Sequence, residues 1–136
     1  PAIVVSNQSG VGRGYFSETE LFAVQQRVTT LLGDLGARLD AAYFCVHAPG
    51  ANGEPACACR KPGIELYRRA AREHDLDLGR SWYVGDRWRD VAPAGTLGGS
   101  GLLIPAVSTP TDDLARAEGQ TAPSLDAAVS TVLARV

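Results

Sequence analysis

Short apolar runs alternating with amphipathic stretches predict an α/β protein: an open parallel sheet with flanking helices. Three observations carry that expectation. Ala2 to Ser6 is a β-branched apolar run without polar alternation, the mark of a strand buried on both faces. Leu21, Val24, Val28, Leu31, Leu32 and Leu35 recur at helical spacing behind Ser17 and Glu20, which read as a capping box. The polar segments Ser6-Asn7, Cys45 to Lys61 and Gly85-Asp86 each follow a predicted strand. Ligands of open parallel sheets bind beyond the carboxyl ends of the strands, so these segments are expected to share one rim and form the site.

The elements follow in order. The first strand ends in the turn Asn7 to Gly14, and the first long helix exits at Gly33 and Gly36. Leu39 to Val46 reads as the second strand, delivering Cys45 and His47 at its end. Ile64 to Leu76 reads as a helix with Leu66, Tyr67, Ala70 and Ala71 inward. Ser81 to Val84 is a third strand, and Asp90 can cap a short helix that tolerates Pro93 in its first turn. Gly101 to Ile104 is a fourth strand. Residues 105–123 read as mixed and turn-rich, and Ser124 caps a last helix running to Val136.

A chain of 136 residues fits one domain, 1–136, able to bury about two-thirds of its unfolded surface. A net charge of −2 and a pI near 5.6 exclude a generic nucleic-acid binder, which needs a basic face. No run of 18 apolar residues predicts a membrane span, and no signal peptide is visible. Reduced metal-binding thiols fit a cytoplasmic setting. The chain has no methionine and enters a strand at once, so a preceding segment, or a processed N-terminus, is expected.

All three cysteines and one of the two histidines fall within fifteen residues: Cys45, His47, Cys57 and Cys59. Three thiolates and an imidazole make a closed tetrahedral zinc site, with no position left for water, so a zinc here is structural. Gly50, Asn52, Gly53 and Pro55 let the intervening loop double back. Unrelated core cysteines or a disulfide are the alternatives, although an odd count leaves one thiol unpaired. Arg60 and Lys61 follow the last ligand directly, and two fixed cations suggest an anionic substrate.

At the other strand ends, Asp86 can ligate Mg²⁺ through a carboxylate oxygen, and Asp90 can support that metal or cap a helix. Ser6 and Asn7 offer a hydroxyl and an amide to phosphate oxygens. Gly10, Gly12 and Gly14 let backbone N–H groups approach an anion, and Arg13 can reach a phosphate or face solvent. Lys61 can neutralise a transferring phosphoryl group, with Arg60 forming a bidentate pair beside it.

The stretch Val4 to Phe16, then Cys45-x-His47, Cys57-x-Cys59-Arg60-Lys61-Pro62 and Val84-Gly85-Asp86-x-x-x-Asp90, resembles the haloacid-dehalogenase-like (HAD) phosphatases. More narrowly it is similar to the D-glycero-D-manno-heptose-1,7-bisphosphate 7-phosphatases and their histidinol-phosphate phosphatase relatives. The resemblance covers residues 2–104 and implies a Rossmann-like sheet and an Mg²⁺-dependent phosphomonoesterase acting through an aspartyl-phosphate. It implies that Ser6 and Asn7 bind the phosphoryl group, Lys61 stabilises it and Arg60 holds the substrate. Asp86 is the implied Mg²⁺ ligand and Asp90 the second acid of its motif. The implied partner is a small phosphorylated sugar or metabolite, without nucleic acid or membrane.

The family's Asp-x-Asp-Gly-Thr motif, which carries the nucleophile, does not occur: Asp75-Leu76-Asp77 follows a helix and lacks the trailing Gly-Thr. The family places that strand between the strand starting at Ala2 and the one ending at Val84. The expectation is therefore a partial domain, lacking the nucleophile strand and inactive alone. Ile64-Glu65 stands where the heptose enzymes usually have Pro-Gly, which leaves substrate preference open. A non-catalytic zinc-stabilised binding or scaffold protein is the alternative of another class.

Overall fold

The first strand, β1 (Ile3–Asn7), appears in a computed structural model that describes residues 1–54 and 56–135. Pro55, read as part of the loop reversal, and Val136, read as the end of the last helix, lie outside the described residues. After β1 come α1 (Ser9–Gly12), α2 (Glu18–Asp34), β2 (Ala41–Cys45) and α3 (Glu65–His74). The order continues with β3 (Trp82–Gly85), α4 (Trp88–Val91), α5 (Pro93–Leu97), β4 (Ser100–Leu103), α6 (Thr111–Arg116) and α7 (Leu125–Leu133). The expected α/β architecture of parallel strands and flanking helices is present. None of the described helices is long and apolar enough to cross a membrane.

The chain divides into two units, Pro1–Asp75 and Leu76–Val136. In the first, β1 and β2 run parallel, with Ile3 opposite Ala41 and Asn7 opposite Cys45. That register sets the phosphate-type turn after β1 and the first thiol after β2 side by side. α3 covers the sheet with Leu66, Tyr67 and Ala70, all buried. Tyr43 of β2 ties the layers together: its hydroxyl donates to Glu73 Oε2 at 2.6 Å, while Arg69 Nε donates to Glu73 Oε1 at 2.8 Å. The Arg69 guanidinium also lies 5.4 Å from the Tyr43 ring centre. The hydrogen bond to Glu73 and burial together hold the Tyr43 phenol above its ordinary value.

Ser17 caps α2 as expected, accepting from the Glu20 N–H, while Glu20 accepts from the Ser17 N–H. The apolar series behind it is a different matter. Leu21 is buried, but Val24, Val28, Leu31 and Leu35 are exposed. The least exposed positions of the helix are Leu21, Gln25 and Leu32, so the face that packs is rotated away from the one that carries Val24, Leu31 and Leu35.

In the second unit β3 and β4 are parallel, with Trp82 opposite Ser100 and Gly85 opposite Leu103. Two apolar clusters flank β4. Val91, Leu103 and Ala117 form one with Trp88 and Leu114; Leu102, Ala122 and Ala128 form the other with Trp82, Ile104 and Val132. Ser124 caps α7 by accepting from Ala127 N–H at 3.1 Å. Two expectations change here. Residues 105–123 contain the helix α6, and Pro93 opens its own short helix α5 rather than entering the first turn of α4. Within the described residues, β1 pairs with β2 and β3 with β4, each pair forming a two-stranded sheet.

Candidate functional site

In the first unit the site is assembled where β1 and β2 end. Backbone bonds stitch the two strand exits: Gln8 N–H donates to Cys45 C=O at 2.7 Å, and Gly12 N–H to Val46 C=O at 2.9 Å. Gly12 is required by that approach, since a Cβ there would meet Val46 O at 2.6 Å. The glycine turn therefore differs from the expected anion cradle. Gly12 and Gly14 spend their N–H groups on Val46 and Val11, because the turn winds into α1. Arg13 is exposed on it.

The four metal-type residues converge. One donor atom each from Cys45, His47, Cys57 and Cys59 lies within 4.8 Å of all the others. His47 Nδ1 stands 3.6 Å from Cys45 Sγ and 3.1 Å from Cys59 Sγ. The three sulfurs are 3.1–3.5 Å apart, too far for a disulfide. A tetrahedron with metal–donor bonds of about 2.0–2.3 Å has donor–donor edges of roughly 3.3–3.8 Å, so the cluster has the right size to hold one metal ion. Electrostatics point the same way. Burial pushes the Cys57 thiol up, but hydrogen bonds from Cys59, Cys45 and the Arg60 and Cys59 peptides outweigh it and bring it down to about 6. Burial and the two neighbouring thiols push Cys59 up to about 12. Thiols crowded this closely could all ionise only beside a cation.

Lys61 sits two residues past the cluster, and β1 holds it. Its Nζ donates to Val5 C=O at 2.7 Å, its N–H donates to Asn7 Oδ1 at 2.9 Å, and its C=O accepts from Asn7 Nδ2 at 3.2 Å. The structure thus brings Lys61 to the carboxyl end of the strand that carries Ser6 and Asn7. Gln8, which the sequence reading did not single out, donates from Nε2 to Ser6 Oγ at 2.9 Å. Arg60 has Nη1 buried without a hydrogen-bond partner among the described residues. A guanidinium so placed fits an anion that would supply the missing acceptors.

In the second unit Asp86 is exposed directly after β3, and its own C=O accepts from Thr109 Oγ1 at 2.7 Å. Asp90, 9% exposed, accepts from the Arg87 N–H at 3.0 Å through Oδ2. It therefore stabilises the start of α4 from inside its first turn rather than as the residue preceding it. Gly85 makes room for it: a Cβ at that position would stand 2.6 Å from Asp90 Oδ2. Gly85→Ala is expected to destabilise this unit by about 1–3 kcal/mol, measurable as a lowered urea midpoint.

Asp113 is the other residue the sequence left unmarked. Its Oδ2 accepts from Arg87 Nε at 2.8 Å and from Trp88 N–H at 3.0 Å, so α6 anchors the Asp86 loop. The Arg87 hydrogen bond is the main reason its carboxyl lies below the usual aspartate value. A depressed acid contributes stability that is fully present above the unfolded value near pH ~4 and lost as pH falls through the folded one. Asp113→Ala is expected to cost about 1–3 kcal/mol at pH 7 and to flatten the acid limb of the stability curve.

The HAD-hydrolase-like family model matches residues 58–129. The D-glycero-beta-D-manno-heptose-1,7-bisphosphate 7-phosphatase of Helicobacter pylori strain J99 is 41% identical over 90 residues, covering 65% of this chain and 49% of the relative. The Bordetella bronchiseptica enzyme of the same name is 36% identical over 102 residues, covering 75% and 55%. The crystal structure of D,D-heptose 1,7-bisphosphate phosphatase from B. bronchiseptica, complexed with magnesium and phosphate, matches with a TM-score of 0.83 at 31% identity, covering 98% of this chain and 74% of that one. The chain spans about half the length of the curated relatives it matches.

Proposed function

Because this chain belongs to the HAD-hydrolase-like family, we propose that it is part of an Mg²⁺-dependent phosphatase acting on a small phosphorylated sugar. The substrate we assign is D-glycero-D-manno-heptose 1,7-bisphosphate, with the 7-phosphate removed. One observation carries the reading. Lys61 is brought 54 residues back along the sequence to the end of β1, beside Ser6, directly behind a metal-type cluster. The relatives that share 36–41% identity carry that activity in their names.

In this reading Ser6 donates its hydroxyl to a phosphoryl oxygen, an orientation that fits the Gln8 amide already occupying one of its acceptor positions. The Asn7 backbone continues the turn around the group. Lys61 neutralises charge that grows on the equatorial oxygens, and Arg60 binds a further oxygen of the substrate. Arg13, exposed on the glycine turn, reaches the substrate from solvent. Asp86 would hold Mg²⁺, for which an exposed carboxylate on an anchored loop is a suitable hard donor. Such an ion would polarise a phosphoryl oxygen. Asp90 keeps the loop in shape. Cys45, His47, Cys57 and Cys59 would hold a structural Zn²⁺, with no position left open for chemistry. Residues 1–136 are part of one phosphatase domain, and the nucleophilic carboxylate is not among them. The absence of Asp-x-Asp-Gly-Thr supports this, as does the pairing of β1 and β3 on one side each among the described residues. A cytoplasmic setting follows from the reduced thiols.

The test is phosphate release by the protein carrying this chain, with Mg²⁺, from the heptose bisphosphate and from histidinol phosphate. Release from the first, abolished by EDTA and restored by Mg²⁺, is expected. A preference for histidinol phosphate would reassign the substrate, and no release from either would favour a binding or scaffold role.

A further inference from the structure

The carboxamide of Asn7 pairs with both backbone polar groups of a residue 54 positions away. Oδ1 accepts the Lys61 N–H at 2.9 Å, and Nδ2 donates to the Lys61 C=O at 3.2 Å. This is a ladder rung made by a side chain. It ties down the peptide groups on both sides of the Lys61 Cα. Pro62 has no N–H, so the backbone here cannot build the next rung itself. The far end of the same lysine is held by Val5, with Nζ donating to its C=O at 2.7 Å. Residues 5 and 7 thus grip Lys61 at its head and its base, with Ser6 between them. A lysine stem has many rotamers, and an ammonium serves a phosphoryl group only if it is delivered to one place.

We propose that Asn7 is a positioning residue: its carboxamide sets the Lys61 backbone so that the lysine ammonium is held at the peptide that joins Val5 to Ser6. The inference rests on the phosphatase reading and refines it. Asn7 acts on the phosphate through Lys61, whereas the resemblance implied a direct contact.

The test is a double-mutant cycle on inorganic phosphate binding, measured by titration calorimetry in the protein carrying this chain. Asn7→Ala is expected to weaken phosphate about tenfold, the size of one or two neutral hydrogen bonds. Lys61→Ala weakens it more. Adding Asn7→Ala to Lys61→Ala should then cost less than about twofold, because the group that Asn7 positions is gone. Full multiplication of the two losses overturns the proposal and leaves the phosphatase reading intact. A wild-type protein that bound no phosphate would overturn both.

Amide exchange by NMR separates positioning from a general structural role. Asn7→Ala should speed exchange at the Lys61 amide about tenfold while Tyr43 in β2 keeps its protection. Asn7→Asp, which retains the acceptor, should keep Lys61 slow. Equal acceleration at Tyr43 and Lys61 in Asn7→Ala would mean that Asn7 holds the unit together, and the proposal would fail.

Discussion

Cys57→Ser is expected to empty the cluster of metal and unfasten the loop that carries Arg60 and Lys61. Cys57 sits 3.5 Å from Cys45 and 3.3 Å from Cys59, so it completes the sulfur face of the cluster. Loss of one ligand from a closed four-donor site leaves the ion with an open position and exchangeable water. Metal content should fall from about one zinc per chain to near none, read by mass spectrometry on protein purified without chelator. The stability cost should exceed about 4 kcal/mol, as is usual when a structural metal is lost. Cys45 is fully buried, so Cys45→Ser should cost at least as much. Retention of full metal and an unchanged melting temperature in either variant would refute the zinc assignment.

Lys61→Ala is expected to lower kcat by about 10²–10³, the range for removing one charged group from a site where transition-state charge develops. Stability should change little by comparison, since the Nζ bond to the Val5 carbonyl can be replaced by one to water. Lys61→Arg should rescue poorly. A planar guanidinium does not reproduce a point donor directed at Val5 C=O. A fall in kcat below fivefold for Lys61→Ala would place the lysine outside the reacting centre.

These expectations rest on features of unequal visibility. The strands, both serine caps and the four metal-type residues were legible because each is a local pattern: an apolar run, a capping box, a pair of donors at i and i+2. Even the backward fold of the metal loop could be read from its turn residues. The supporting residues were not legible, because their roles exist only through contacts between distant segments. Asn7 meets Lys61 54 residues on, and Asp113 meets Arg87 across 26. Thr109 and Asp113 lie in a proline- and threonine-rich stretch whose composition reads as turn, yet a helix there carries the acid that anchors the Asp86 loop. The glycine turn failed in the opposite direction. Its composition suggested an anion cradle, whereas Gly12 serves close backbone packing against Val46. The α2 stripe shows a third limit: apolar spacing marks a helix, but does not say which of its faces is covered.

We propose that this chain supplies the phosphate-gripping half of a sugar bisphosphate phosphatase, with a metal cluster fixing the loop that bears Lys61. Phosphorus NMR on heptose 1,7-bisphosphate incubated with Mg²⁺ and the protein carrying this chain tests it most directly. Loss of the 7-phosphate resonance, growth of inorganic phosphate and an intact 1-phosphate are expected, with the reaction nearly silent in Lys61→Ala. Loss of the 1-phosphate instead, or an unchanged rate in Lys61→Ala, would contradict it.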